Sequence, residues 1–211
     1  MDIIGLTDHN STLNADVTRR LGEKVGLHVL MGAEVTTKEE VHCLSFMPTV
    51  EKLAEFQAFL DSRVIFFEND VDKFGYQLVV DEDENVLDEV PHLLINALDL
   101  PMMELQQKVY EMGGIFIPAH IDKMKNSVIS QLGFIPFDLD YDAVELSKHG
   151  DKEKILKEHP YLKDKTFTRA SDAHIPDVVG TAPCYFEMET RSFEEIRMAL
   201  HQEQGRFVSL T

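Results

Sequence analysis

The sequence predicts an α/β fold in which strands alternate with helices to build a parallel sheet or a barrel. Three observations carry that expectation. Short apolar runs recur with room for one amphipathic helix between them, and glycines stand where those helices should stop. Residues with metal-ligand chemistry gather at or just past the ends of the apolar runs.

Residues 2–6 read as a buried strand, followed by a polar loop over 7–11. Leu13, Val17, Leu21 and Val25 then recur every four residues up to Gly26, which predicts an amphipathic helix. A second strand follows over 27–31, with Glu34 just beyond it, and a third over 41–46 in which His42 shares a face with Leu44 and Phe46. Val50, Leu53, Ala54 and Leu60 outline a helix. Tyr76, Leu78, Val79 and Val80, the polar turn 81–85, then Val86 and Leu87 predict a hairpin-like insertion, about 64–100, within a single domain spanning 1–211. Met102, Leu105, Val109 and Met112 with Gly113-Gly114 give a capped helix leading into a strand over 115–117. Further strands are expected at 143–146 and 167–170. Ser192 and Glu195 make a capping box for a last helix before a strand at 207–210.

With 211 residues, 44% of them hydrophobic, the chain can bury a sizeable core. The net charge of −18 argues against an exposed phosphate backbone as a partner, so nucleic acid would need bound metal ions or a local basic patch. Residues 81–84 and the trio Asp138, Asp140 and Asp142 read as solvated acidic loops. Cys43 and Cys184 are too few for a disulfide framework, and neither has a neighbour that would make it a nucleophile. With no basic leader and no long apolar span, a cytoplasmic protein with no membrane partner is expected.

Asp172 and His174, two apart on an expected strand, would point the same way and could grip one metal site. His9, Glu34 and His120 each follow an apolar run, and His42 lies in one. A β/α barrel collects its active site at the C-terminal ends of its strands, so these separate segments point to one polynuclear metal centre. A single histidine on an apolar strand is more often a hydrogen-bonded core residue. Recurrence at one end of the strands is what favours metal. His28, His92, His159 and His201 lack that setting and read as structural.

The motif order resembles the PHP family, named for polymerase and histidinol phosphatase domains. It is carried by Thr-Asp-His-Asn at 7–10, Gly-Ala-Glu-Val-Thr-Thr at 32–37, Glu-Val-His at 40–42, Pro-Ala-His at 118–120 and Ser-Asp-Ala-His at 171–174. The resemblance implies a distorted (β/α)7 barrel holding two or three divalent ions, zinc, manganese or iron. It makes His9, Glu34, His42, His120, Asp172 and His174 metal ligands, with Asp8 orienting a ligand from behind. The family opens on a strand bearing His-x-His. This sequence starts at Met1-Asp2-Ile3-Ile4, which matches the following strand, so the fold is expected to lack its first strand and three ligands. A second copy of the chain could cover the sheet edge so exposed.

The resemblance further implies a phosphoesterase acting through a metal-activated water on a small phosphorylated metabolite or nucleotide, with no protein nucleophile. Lys148, with His149 beside it, would hold substrate phosphate, and Lys123 and Arg169 are weaker candidates. The alternative is a non-catalytic or incomplete metal-binding domain with a structural or partner-binding role. A proofreading exonuclease fits the acidic balance poorly.

Overall fold

The structure is a computed structural model and describes residues 1–210. Its strands are β1 (Ile3–His9), β2 (His28–Thr36), β3 (His42–Met47), β4 (Leu78–Val80), β5 (Val86–Glu89), β6 (Ile115–Pro118), β7 (Val144–Leu146), β8 (Phe167–Arg169), β9 (Tyr185–Glu187) and β10 (Phe207–Ser209). The helices are α1 (Ala15–Lys24), α2 (Val50–Asp61), α3 (Val71–Phe74), α4 (Met102–Glu111), α5 (Val128–Leu132), α6 (Lys152–Glu158) and α7 (Phe193–Leu200).

The main sheet has the order β1-β2-β3-β6. Only β1 and β2, joined through α1, run parallel; β2 with β3 and β3 with β6 are antiparallel. This departs from the all-parallel expectation. The connection over 37–41 falls well short of the dozen or so residues that a parallel crossover takes, so the chain must turn straight back. β7 and β8 form a separate parallel pair, and β9 and β10 an antiparallel one. Among the described residues no ladder links these pairs to the main sheet, so the fold is mixed α/β without a closed barrel. β1 is an edge strand.

Alternation assigns each sheet face its own core. Met31, Ala33, Val35, Cys43 and Met47 pack with Leu53, Phe56 and Leu60 of α2 and Leu105 and Val109 of α4. Phe46, Ile115 and Ile117 of the opposite face pack with Ile196 and Leu200 of α7, against partly buried Ile3, Leu30 and Leu44. Phe56, Leu60 and Leu105 are fully buried, and such side chains each supply roughly 1.5–3 kcal/mol of transfer free energy. Of the expected stripe only Val17 faces the core: Leu13, Leu21 and Val25 are exposed, and α1 buries Ala15, Val17 and Gly22. A repeat of four drifts around a helix of 3.6 residues per turn. A Cβ on Gly22 would sit 2.6 Å from Val29 Cγ2, which shows how closely α1 lies on β2.

β4 and β5 pair as a hairpin within residues 64–100. Asn10 clamps this segment to the sheet: its Nδ2 donates to the carbonyls of Leu94 (2.6 Å) and Asn96 (2.8 Å), and its Oδ1 accepts from Thr36 N (2.8 Å). Arg20 and Lys24 of α1 pair with Glu82 at the hairpin turn. Among the described residues no helix is long and apolar enough to cross a membrane.

Candidate metal centre

The sheet face that carries Ile3, Leu30 and Phe46 toward α7 becomes polar at one end. Counting in twos along the strands, β1 places His9, β2 places Glu34 and β3 places His42 on this face, and His9 and Glu34 are paired in register. His9 and Glu34 thus lie inside strands longer than their apolar runs indicate. His120 follows β6 with φ of 29°, in the left-handed region, and Ala119 N donates to His42 O at 3.0 Å. Gly5 and Gly32 make room beneath the cluster, since a Cβ on either would press on the Phe46 ring.

Glu34, buried, lies among three imidazoles. Its Oε1 is 3.1 Å from His42 Nδ1 and 3.2 Å from His120 Nε2, and its Oε2 is 3.4 Å from His9 Nδ1. His42 Nδ1 and His120 Nε2 face each other at 3.3 Å. Burial acts to raise the Glu34 pKa, but the contacts with His120 and His42 outweigh it and hold the carboxyl well below its usual range. Burial depresses the His9 pKa. His9 Nδ1, His42 Nε2 and His120 Nδ1 are buried without a hydrogen-bond partner. His9, Glu34 and His42 offer ligand atoms within 4.8 Å of one another, the spacing of a cation site.

Asp172 and His174 lie in a loop, because β8 ends at Arg169, and Asp172 has φ of 49°. The expected strand geometry is therefore replaced by a turn. The His174 ring still comes within 5.9 Å of His9, centroid to centroid, although its side chain is 68% exposed. Asp172 pairs with Lys123. Asp8 faces away from the cluster, its carboxyl bonded to Asn14 and its pKa raised by burial. Lys148 and His149 line an open cleft of about 440 Å³ with Arg169 and Tyr185.

Sequence reasoning missed Glu145. It lies on β7, is buried, and its Oε2 accepts from His120 N at 3.0 Å, fixing the left-handed turn that aims the imidazole at Glu34. Burial pushes its pKa up to about 7. The available signal was its place between Val144 and Leu146, both of which prove fully buried.

No family model matches the chain. It is similar to the uncharacterized protein YqxK of Bacillus subtilis, 27% identical over 188 residues, covering 84% of this chain and 42% of that protein. Among solved structures it resembles the lesion-specific endonuclease PfuEndoQ of Pyrococcus furiosus (TM-score 0.68, 20% identity, 99% of this chain and 49% of that one). It also resembles endonuclease Q in complex with a 27-mer duplex substrate carrying an abasic lesion at the active site (TM-score 0.64, 22% identity, 98% and 50%). The chain spans about half the length of these structures.

These likenesses correct the expectation of a small phosphorylated substrate with nucleic acid an unlikely partner. A protein of this fold holds duplex DNA at its active site. The charge argument averaged over the chain. Between residues 122 and 169 nine cations balance nine carboxylates, so the whole of the −18 lies elsewhere.

Proposed function

We propose that this chain supplies the hydrolytic centre of a metal-dependent enzyme that cleaves phosphodiester bonds in nucleic acid. One observation carries the reading: a buried carboxylate among three imidazoles, with two ring nitrogens facing each other at 3.3 Å. These nitrogens donate to Glu34 when protonated and turn their lone pairs inward when not, so with the carboxylate they form a donor set that suits a divalent metal. His9, Glu34, His42 and His120 would hold it, and Asp172 and His174 would complete the set from their loop. The motif resemblance to PHP domains, the layout of 1–211 as one domain with an insertion, and the similarity to endonuclease Q support the same reading.

Held by these residues, a divalent cation would supply Lewis acidity and make water a better nucleophile. In the hydrolysis, a water oxygen forms a bond to phosphorus, the ester P–O bond breaks, and the leaving oxygen takes a proton. Glu145 and Asn10 keep the ligands aimed, the first through the backbone of His120 and the second through Thr36.

The test strips the chain with chelator, restores zinc or manganese, and presents end-labelled duplexes with and without an abasic site. Cleavage that depends on the metal and disappears in Glu34→Gln is expected. Absence of cleavage with either metal on every duplex would overturn the proposal.

A further inference from the structure

Twelve of the twenty cationic side chains lie within ion-pair distance of a carboxylate. Among the described residues, the eight that do not all fall between positions 125 and 169: seven lysines and Arg169. In a chain with 38 carboxylates, the cations without a carboxylate partner are thus confined to one segment. Three of them, Lys148, Lys152 and Arg169, line two open clefts of about 440 and 670 Å³ that share Arg169 and Leu210.

We propose that these adjoining clefts form a groove that tracks the sugar-phosphate backbone of a nucleic-acid strand beside the metal centre. The inference rests on the function proposed above. Arg169 ends β8 three residues before Asp172, and Ser147, one residue before Lys148, donates from its backbone N to Asp122 Oδ1 at 2.6 Å, two residues after His120. The groove is therefore anchored at both sides to segments of the centre. Arg169 Nη2 donates to Gly150 O at 2.9 Å, which fixes the guanidinium against the floor. Two carboxylates also line the groove. Asp151 accepts from Glu153 N (2.9 Å) and Lys154 N (3.1 Å) as the N-cap of α6, so its charge is partly answered, whereas Glu153 opposes an anion.

The walls supply a second feature that suits a nucleic acid over an acidic peptide. Tyr185 and Phe207, 58% and 48% exposed, stand along the same clefts and offer aromatic faces to unpaired bases. Phosphates would lie along the cations and bases against the rings.

The experiment measures binding of a fluorescent abasic-site duplex by anisotropy from 50 to 200 mM KCl, for the wild-type chain and for Lys148→Ala/Lys152→Ala. Two lost phosphate contacts should flatten the slope of log affinity against log salt by about 1.8, so the wild type loses about 12-fold more affinity than the variant over that range. Lys148→Arg/Lys152→Arg should keep the wild-type slope, which separates charge from folding, and thermal unfolding checks that each variant is folded. If the wild type binds and the Ala variant shows the same slope, the groove is refuted while the proposed function stands. If the wild type binds no duplex at any salt, both fall. Equally salt-dependent binding of polyglutamate would also overturn the groove as a nucleic-acid site.

Discussion

Gly32→Ala should disable the centre without touching a ligand. Gly32 lies two residues before Glu34 on β2 and is paired with Phe46 on β3. An added Cβ would stand 2.3 Å from Ser45 O, 2.8 Å from Phe46 Cδ1 and 3.1 Å from Phe46 Cα. Ordinary contact begins at 3.4 Å, so β2 and β3 must part by about 1 Å in a core that is close-packed on both faces. That shift is carried to Glu34 and opens its 3.1 and 3.2 Å contacts to His42 and His120. Overpacking of this kind costs about 1–3 kcal/mol. For a chain of this size each kcal/mol lowers Tm by about 2–4 °C, so a fall of about 2–12 °C is expected by circular dichroism. Metal affinity should fall as well. Gly26→Ala serves as the comparison: it sits at φ +74° with nothing within 4 Å, so it should lose stability alone, about 1–2 kcal/mol. Unchanged Tm and unchanged metal affinity in Gly32→Ala would refute the claim that strand packing sets the ligand geometry.

Three further substitutions probe the same framework. In the chelator-treated chain, Glu145 has a folded pKa of about 7 against 4.5 when unfolded, so its contribution is fully present below pH 4.5 and is lost as pH rises to 7. Glu145→Gln should remove about 3 kcal/mol of that decline, read as a flatter urea-stability profile against pH; an unaltered profile would contradict the burial argument. Asn10→Ala breaks three hydrogen bonds at a left-handed position and should cost about 2–4 kcal/mol, with faster hydrogen exchange over residues 64–100; protection there equal to wild type would exclude the clamp. Glu34→Gln should weaken zinc binding by more than the roughly 10–100-fold typical of outer partners, measured by competition with a chromogenic chelator, and a smaller loss would remove Glu34 from the ligand set.

Much of the centre was legible because ligand residue types stood at the ends of apolar runs. His9, Glu34, His42 and His120 converge for that reason, and α2, α4, α7 and the 78–89 hairpin follow from their spacing. Strand direction was also recoverable: the connection over 37–41 is too short for a crossover, although apolar alternation by itself carries no sign of direction. Asp172 and His174 misled because a short β-rich run gives no marker of where it stops, and Asp172 turns left-handed just past β8. Glu145 stayed hidden since a lone carboxylate in a three-residue strand reads as solvated; only the partner at His120 N reveals its place. Net charge was the least transferable signal, because it sums over a chain whose cations without a carboxylate partner occupy one segment.

The most direct test of the central claim is metal stoichiometry on the chelator-stripped chain titrated with zinc or manganese, alongside Glu34→Gln and His120→Ala. At least one tightly bound equivalent in the wild type, lost in both folded variants, is predicted. No tight binding, or binding that both variants retain, would contradict a metal centre at the His9, Glu34, His42 and His120 cluster.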